Sequence, residues 1–131
     1  FDRILQERDV YIQQNAKQGK PDDLLNVDNV EAILASIFPA QNKGSDEALD
    51  ELLVDLNCFG IKTSGELSDL LGRHYSEIMQ ADIRHAEKDP LGRSYYFTHI
   101  GLAREGLRNE FGSDVVSEHL KEQNYLRHQA P

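Results

Sequence analysis

Residues 63–92 read TSGELSDLLGRHYSEIMQADIRHAEKDPLG and carry the longest helical pattern in the chain. Thr63 and Glu66 stand three residues apart, which is the spacing of a capping box at a helix N-terminus. Apolar residues then recur at helical spacing, at Leu67, Leu71, Tyr75 and Ile78. Asp89-Pro90-Leu91-Gly92 has turn chemistry. We therefore predict one helix over about 64–88 that ends at this turn.

Helical spacing dominates the rest of the chain, and strand alternation is nearly absent. A helix over about 95–111 would pair with 64–88 as a central hairpin, in which Gly106 indicates either a close helix–helix approach or a break. Further helices are predicted from N-caps at Asp28, Ser45 and Ser113, the last with Leu126 facing inward. The fold class is therefore all-α: residues 1–131 form a single compact bundle of about five to six helices.

The balance of charge excludes several classes of function. The chain of 131 residues has 14 Lys+Arg against 23 Asp+Glu, a net charge of −9. This charge opposes direct binding to nucleic acid or to an anionic membrane. No apolar run is long enough to span a membrane. The single cysteine, Cys58, is expected to be buried and cannot form an internal disulfide, which favours a cytoplasmic location. Because the sequence begins at Phe1, we expect a piece of a longer chain.

One polar position of the predicted hairpin is unusual. Asp82 lies about 20° from the line through Leu71, on the buried side of its helix. His85 flanks the same stripe, and His99 on the facing helix would come near both. One carboxylate and two imidazoles are suitable ligands for zinc or non-haem iron, so these three residues are a candidate metal site. The alternatives are an exposed Asp82, or a structural ion pair of Asp82 with Arg104 or His99. No other cofactor is predicted.

A second candidate site is acidic. Glu47 and Asp50, and likewise Glu66 and Asp69, stand three residues apart and would share helix faces. Two such pairs on neighbouring helices can hold magnesium and the phosphates of a nucleotide. With Gly65-Glu66-Leu67-Ser68-Asp69-Leu70-Leu71, this spacing resembles the acidic signature of the all-α nucleoside triphosphate pyrophosphatases related to MazG. The resemblance covers about 25 residues, and Asp50 stands where that family uses Glu. It implies a magnesium-dependent nucleotide enzyme.

The third candidate is a surface for a partner. Tyr95 and Tyr96 follow Arg93 beside the predicted turn, and exposed aromatic residues next to arginine are typical of protein interfaces. Since no catalytic motif stands out, we interpret the chain as a binding or regulatory protein (an adaptor, inhibitor or immunity-type protein) that recognises a protein with a basic surface. The enzyme and the metal protein are the alternatives. An apolar stripe in the first predicted helix leaves homo-oligomers open: Ile4, Leu5, Tyr11 and Ile12.

Overall fold

A computed structural model describes residues 21–39, 42–88 and 98–129, except for the side chains of 85–88 and 128–129. These described residues form six helices and no β-strand, so the prediction of an all-α bundle is confirmed. The predicted N-terminal helix and the Asp89–Gly92 turn lie outside the described residues. The helices are α1 Val27–Ile37, α2 Asp46–Cys58, α3 Ser64–Arg73, α4 Tyr75–Lys88, α5 His99–Phe111 and α6 Ser113–Gln129.

Helix α5 lies at the centre of the bundle and packs against each of the other five helices. Its inner face buries Ile100, Leu102, Ala103 and Leu107. Gly106 allows the close approach to α3 and α4, because a Cβ atom there would lie 3.2 Å from Leu71 Cδ2 and 3.3 Å from Ile78 Cδ1. Residue 78 lies beside 106, and residues 73 and 74 bond to 110, so the two segments of the chain run in opposite directions. The predicted antiparallel packing is thus present.

The N-terminus of α3 has a complete set of hydrogen-bond partners. The Thr63 hydroxyl accepts from the backbone N–H of Glu66, and Glu66 Oε1 accepts from the N–H of Thr63, which confirms the predicted capping box. The N–H groups of Ser64 and Gly65 donate to the carbonyls of Asp23 and Pro21, both at 2.9 Å. The segment before α1 therefore satisfies donors that a helix N-terminus otherwise leaves free.

The C-terminus of α2 is closed by a Schellman motif around Gly60. Gly60 has φ of +81°, a left-handed conformation that glycine adopts without strain. Its N–H donates to the Asn57 carbonyl at 3.0 Å, and the N–H of Ile61 donates to the Leu56 carbonyl at 2.9 Å. Ile61 is buried, as the apolar contact of this motif requires.

The predicted single helix over 64–88 is wrong in one respect, because it is divided at His74. The backbone of His74 has φ −109° and ψ 15°, which ends α3, and α4 begins at the next residue. Leu67, Leu71, Tyr75 and Ile78 are nevertheless all buried. The apolar stripe runs across the break without interruption, so its spacing could not reveal that the helix is divided.

Other predicted details also differ from the structure. The N-cap of α1 is Asn26 rather than Asp28, and its capping box is completed by Asn29. Helix α5 begins at His99 with Thr98 as its N-cap, later than the predicted start near residue 95. Leu126 is exposed rather than inward-facing, since α6 packs mainly against α5 and leaves its outer side to solvent.

Candidate functional site

The most unusual charged residue in the described part of the chain is Asp55 on α2, whose side chain is 0% exposed. Arg104 Nη2 on α5 donates to Asp55 Oδ2 at 3.2 Å. On α6, His119 Nε2 lies 3.0 Å from Asp55 Oδ1, and Arg127 Nη2 lies 3.8 Å from the same oxygen. Three basic side chains from two helices thus surround one buried carboxylate. We call these four residues the Asp55 cluster.

The Asp55 cluster fixes α6 to the rest of the bundle. A buried carboxylate is tolerated only when it is paired and hydrogen-bonded, and here both oxygens have partners. Arg127 also lies 3.7 Å from Glu51 on α2, which extends the ion pairing along the same two helices. Asp55 is not among the predicted site residues. The available signal was its position three residues after Leu52 and one before Leu56, which places it beside the buried stripe of α2.

A surface groove runs along α6 beside this cluster. Its lining combines apolar and charged side chains from α6 with one aromatic ring that follows α2. We call it the α6 groove, and its residues are Phe59, Asp114, Val115, Glu118, His119, Lys121, Glu122 and Tyr125. Val115 and Tyr125 are 55% and 63% exposed. Three carboxylates stand among these apolar groups, so the groove is both apolar and acidic.

Packing beneath the α6 groove holds its inner side in place. The ring of Phe59 stacks on Phe111 at a centroid distance of 5.0 Å and meets the edge of His119 at 4.9 Å. His119 is in turn held by Asp55, which fixes the orientation of its ring. His119 therefore belongs both to the groove and to the Asp55 cluster. A surface held by buried contacts is pre-formed, and a partner then loses less conformational freedom on binding.

A second charged cluster joins α3 to α5 on a more exposed face. Arg73 donates from Nε and Nη2 to Glu110 Oε1 at 3.3 and 2.9 Å, and it also pairs with Asp69. His74 Nε2 lies 2.9 Å from the same oxygen of Glu110. Hydrogen bonds from Arg73, and next from His74, lower the pKa of Glu110 below its ordinary value of 4.5. The carboxylate form of Glu110 is therefore favoured in the folded state.

Replacement of Glu110 by glutamine is expected to make the free energy of unfolding depend less on pH in the acid range. A carboxyl with a lowered pKa in the fold stabilises the protein above its unfolded pKa, and this contribution is lost as pH falls through the folded pKa. Glu110→Gln should therefore lower the urea midpoint at neutral pH, and the gap to the wild type should close below pH 4.5. Urea unfolding over this pH range measures the effect. A gap that stays constant with pH would contradict it.

The residues of the predicted transition-metal site are only partly described. His99 is buried, and its Nε2 lies 2.6 Å from the carbonyl oxygen of Phe38, so this nitrogen carries the hydrogen. Its Nδ1 is buried without a hydrogen-bond partner among the described residues. Asp82 is half-buried on α4, and His85 belongs to α4 with a side chain outside the described set. Arg104, one partner suggested for Asp82, pairs with Asp55. The metal site stays a prediction.

The four acids of the predicted magnesium site have ordinary surroundings. Glu47 and Asp50 are exposed on α2. Glu66 takes part in the capping box of α3, and Asp69 pairs with Arg73. Within the ranges that the structure describes, no three His, Cys, Asp or Glu side chains are arranged to hold a metal ion. The positions of the four acids do not decide whether they bind a nucleotide, so nucleotide binding stays a prediction.

The predicted partner surface, Arg93, Tyr95 and Tyr96, lies outside the described residues, and its role stays a prediction.

Cys58 was expected to be buried, but it is exposed as a free thiol at the end of α2. Its place on the outer side of the last turn of the helix explains the difference. The apolar groups exposed in the α6 groove were not predicted. Val115 and Tyr125 stand ten residues apart, a spacing that returns to a similar side of a helix.

Across the described ranges, every helix is too short or too polar to cross a lipid bilayer. Comparison with known proteins finds no match: no family model, no curated protein and no solved structure is significantly similar to the chain. The geometry of the described residues is therefore the basis on which a function can be argued.

Proposed function

We propose that this protein is a small acidic binding module that recognises another protein, and that the α6 groove is its recognition surface. The observation that carries the proposal is the exposure of Val115 and Tyr125 in one groove, beside the aromatic ring of Phe59. Apolar side chains exposed together are typical of binding sites. Tyrosine is also among the residues that contribute most to binding energy at protein interfaces.

The charge of the α6 groove supports a partner with a basic surface. Asp114, Glu118 and Glu122 line the groove, against one lysine, Lys121. The whole chain has a net charge of −9, so its field favours approach of a positive surface. Complementary charge of this kind raises the association rate and excludes partners of the same sign. Nucleic acid is disfavoured for the same reason.

The proposal includes a cytoplasmic location. It is supported by Cys58, which is the single cysteine of the chain and has an exposed thiol. Exposed unpaired thiols are typical of proteins in reducing compartments. A regulatory or adaptor role in such a compartment needs no metal or cofactor.

Affinity capture with matched variants tests the proposed function. The wild type is immobilised and exposed to an extract of the native source, beside Val115→Asp and Val54→Asp. Val54 is also a helical valine, 48% exposed, but it does not line the α6 groove. Loss of a binding hot spot costs about 2 kcal/mol, or about thirty-fold in affinity. We expect Val115→Asp to lose the captured protein and Val54→Asp to retain it.

Salt provides a second measurement of the same capture. Because exposed charges are screened by salt, the retained amount should fall steeply as ionic strength rises. The proposal is wrong if the two valine variants capture equal amounts, or if capture by the wild type does not depend on salt. Sedimentation of the isolated protein gives the third arm. A dimer that Val115→Asp dissociates would assign the groove to a second copy of the chain.

A further inference from the structure

The α6 groove follows one helix along most of its length. Its outward residues Val115, Glu118, Glu122 and Tyr125 stand at i, i+3, i+7 and i+10, which is a stripe on one face of α6. At 1.5 Å per residue, the stripe from Val115 to Tyr125 is about 15 Å long, or roughly three helical turns. An apolar group closes each end, and two carboxylates lie between them.

From this arrangement we infer that the partner presents a basic amphipathic α-helix to the α6 groove. This inference rests on the proposed function and specifies the partner of the same site. A helix laid along the stripe would place apolar side chains about ten residues apart, one against Val115 and one against Tyr125. Lysine or arginine residues one turn apart would then face Glu118 and Glu122, which are themselves one turn apart.

The described structure favours a helix over an extended peptide. Recognition of an extended segment by strand addition needs an exposed sheet edge. The described residues contain a single isolated bridge, between Leu24 and Thr63, and no strand that could accept another. A groove along a helix instead accepts side chains at helical spacing, as in helix-in-groove recognition.

The exposed charged side chains of the groove can exchange one ion-pair partner for another. An ion pair within the groove joins Lys121 to Glu118 at 3.9 Å, and both side chains are largely exposed. Exposed pairs of this kind contribute little to stability, so a cation of the partner can displace Lys121 at low cost. The floor of the groove differs, because Phe59 and His119 are held by Phe111 and Asp55. The groove therefore combines a fixed apolar floor with exchangeable charges.

Binding of synthetic peptides tests the inference. The probe is a fluorescein-labelled amphipathic peptide of leucine, alanine and lysine, about five turns long, with lysines at i and i+4. One control has the same composition with two central alanines replaced by proline, which breaks the helix. The other has glutamate in place of every lysine. Fluorescence anisotropy should show saturable binding of the helical lysine peptide, and at least about ten-fold weaker binding of both controls.

Two charge-reversed variants locate the site. Glu118→Lys with Glu122→Lys should weaken the helical peptide about ten-fold or more. Glu47→Lys with Asp50→Lys changes the net charge equally on exposed positions of α2, and it should change affinity less than about two-fold. Equal binding of helical and proline peptides, equal effects of the two double variants, or no binding would each overturn the inference. The capture experiment does not depend on these peptides, so the proposed function can stand when the inference fails.

Discussion

Asp55→Ala is expected to lower the free energy of unfolding by about 3 kcal/mol. The substitution removes the carboxylate that Arg104, His119 and Arg127 share, and it leaves the partly buried guanidinium of Arg104 without this ion-pair partner. Removal of one member of a buried ion pair costs about 3–5 kcal/mol. We expect the lower end, because both arginines keep part of their surface in water.

Urea unfolding of three proteins measures this effect: the wild type, Asp55→Ala and Asp50→Ala. Asp50 is an exposed aspartate on the same helix, so its loss should change the free energy of unfolding by less than about 0.5 kcal/mol. Similar values for the two variants would show that the Asp55 cluster does not stabilise the fold. Because Asp55 also orients His119, Asp55→Ala should in addition weaken binding at the α6 groove.

Gly44→Ala is expected to destabilise the protein by roughly 2–5 kcal/mol, through two separate effects. Gly44 has φ of +86°, where an alanine is strained by about 1–2 kcal/mol. In addition, its Cβ would lie 2.7 Å from Ile100 Cδ1. Cδ1 is the flexible end of the Ile100 side chain, and because Ile100 is buried on the central helix this end must shift within the core, at an overpacking cost of about 1–3 kcal/mol.

Gly60→Ala is the matched control for this substitution. Gly60 has a similar φ of +81°, but a Cβ there has no neighbour within 4 Å. It should show only the backbone strain of about 1–2 kcal/mol. The difference between the two variants, measured by thermal or urea unfolding, gives the packing effect at Ile100. Equal destabilisation would mean that the contact between Gly44 and α5 contributes nothing.

Local features of this fold could be predicted from the sequence because their physical causes are local. The capping box of Thr63 and Glu66 involves residues within one helical turn, and the Schellman motif at Gly60 needs only a left-handed glycine and an apolar residue after it. The choice between two neighbouring N-cap residues at the start of α1 is harder to predict. Asn26 and Asp28 are both suitable N-caps, and the reciprocal bonds between Asn26 and Asn29 favour the former.

The candidate site could not be predicted in the same way, because it depends on contacts between distant parts of the chain. Asp55 is bonded to Arg104 and His119 across sequence separations of 49 and 64 residues. No local pattern specifies those pairs. The division of the predicted long helix at His74 could not be predicted either, because the apolar stripe continues across the break. Val115 and Tyr125 are exposed because no described helix covers that side of α6.

Hydrogen–deuterium exchange of the protein, alone and in the complex captured from its native source, tests the central claim most directly. The claim is that partner recognition occurs at the α6 groove. We predict that binding slows exchange chiefly within residues 113–126 and at Phe59, with little change in α1. Protection confined to other helices, with α6 unchanged, would contradict the account.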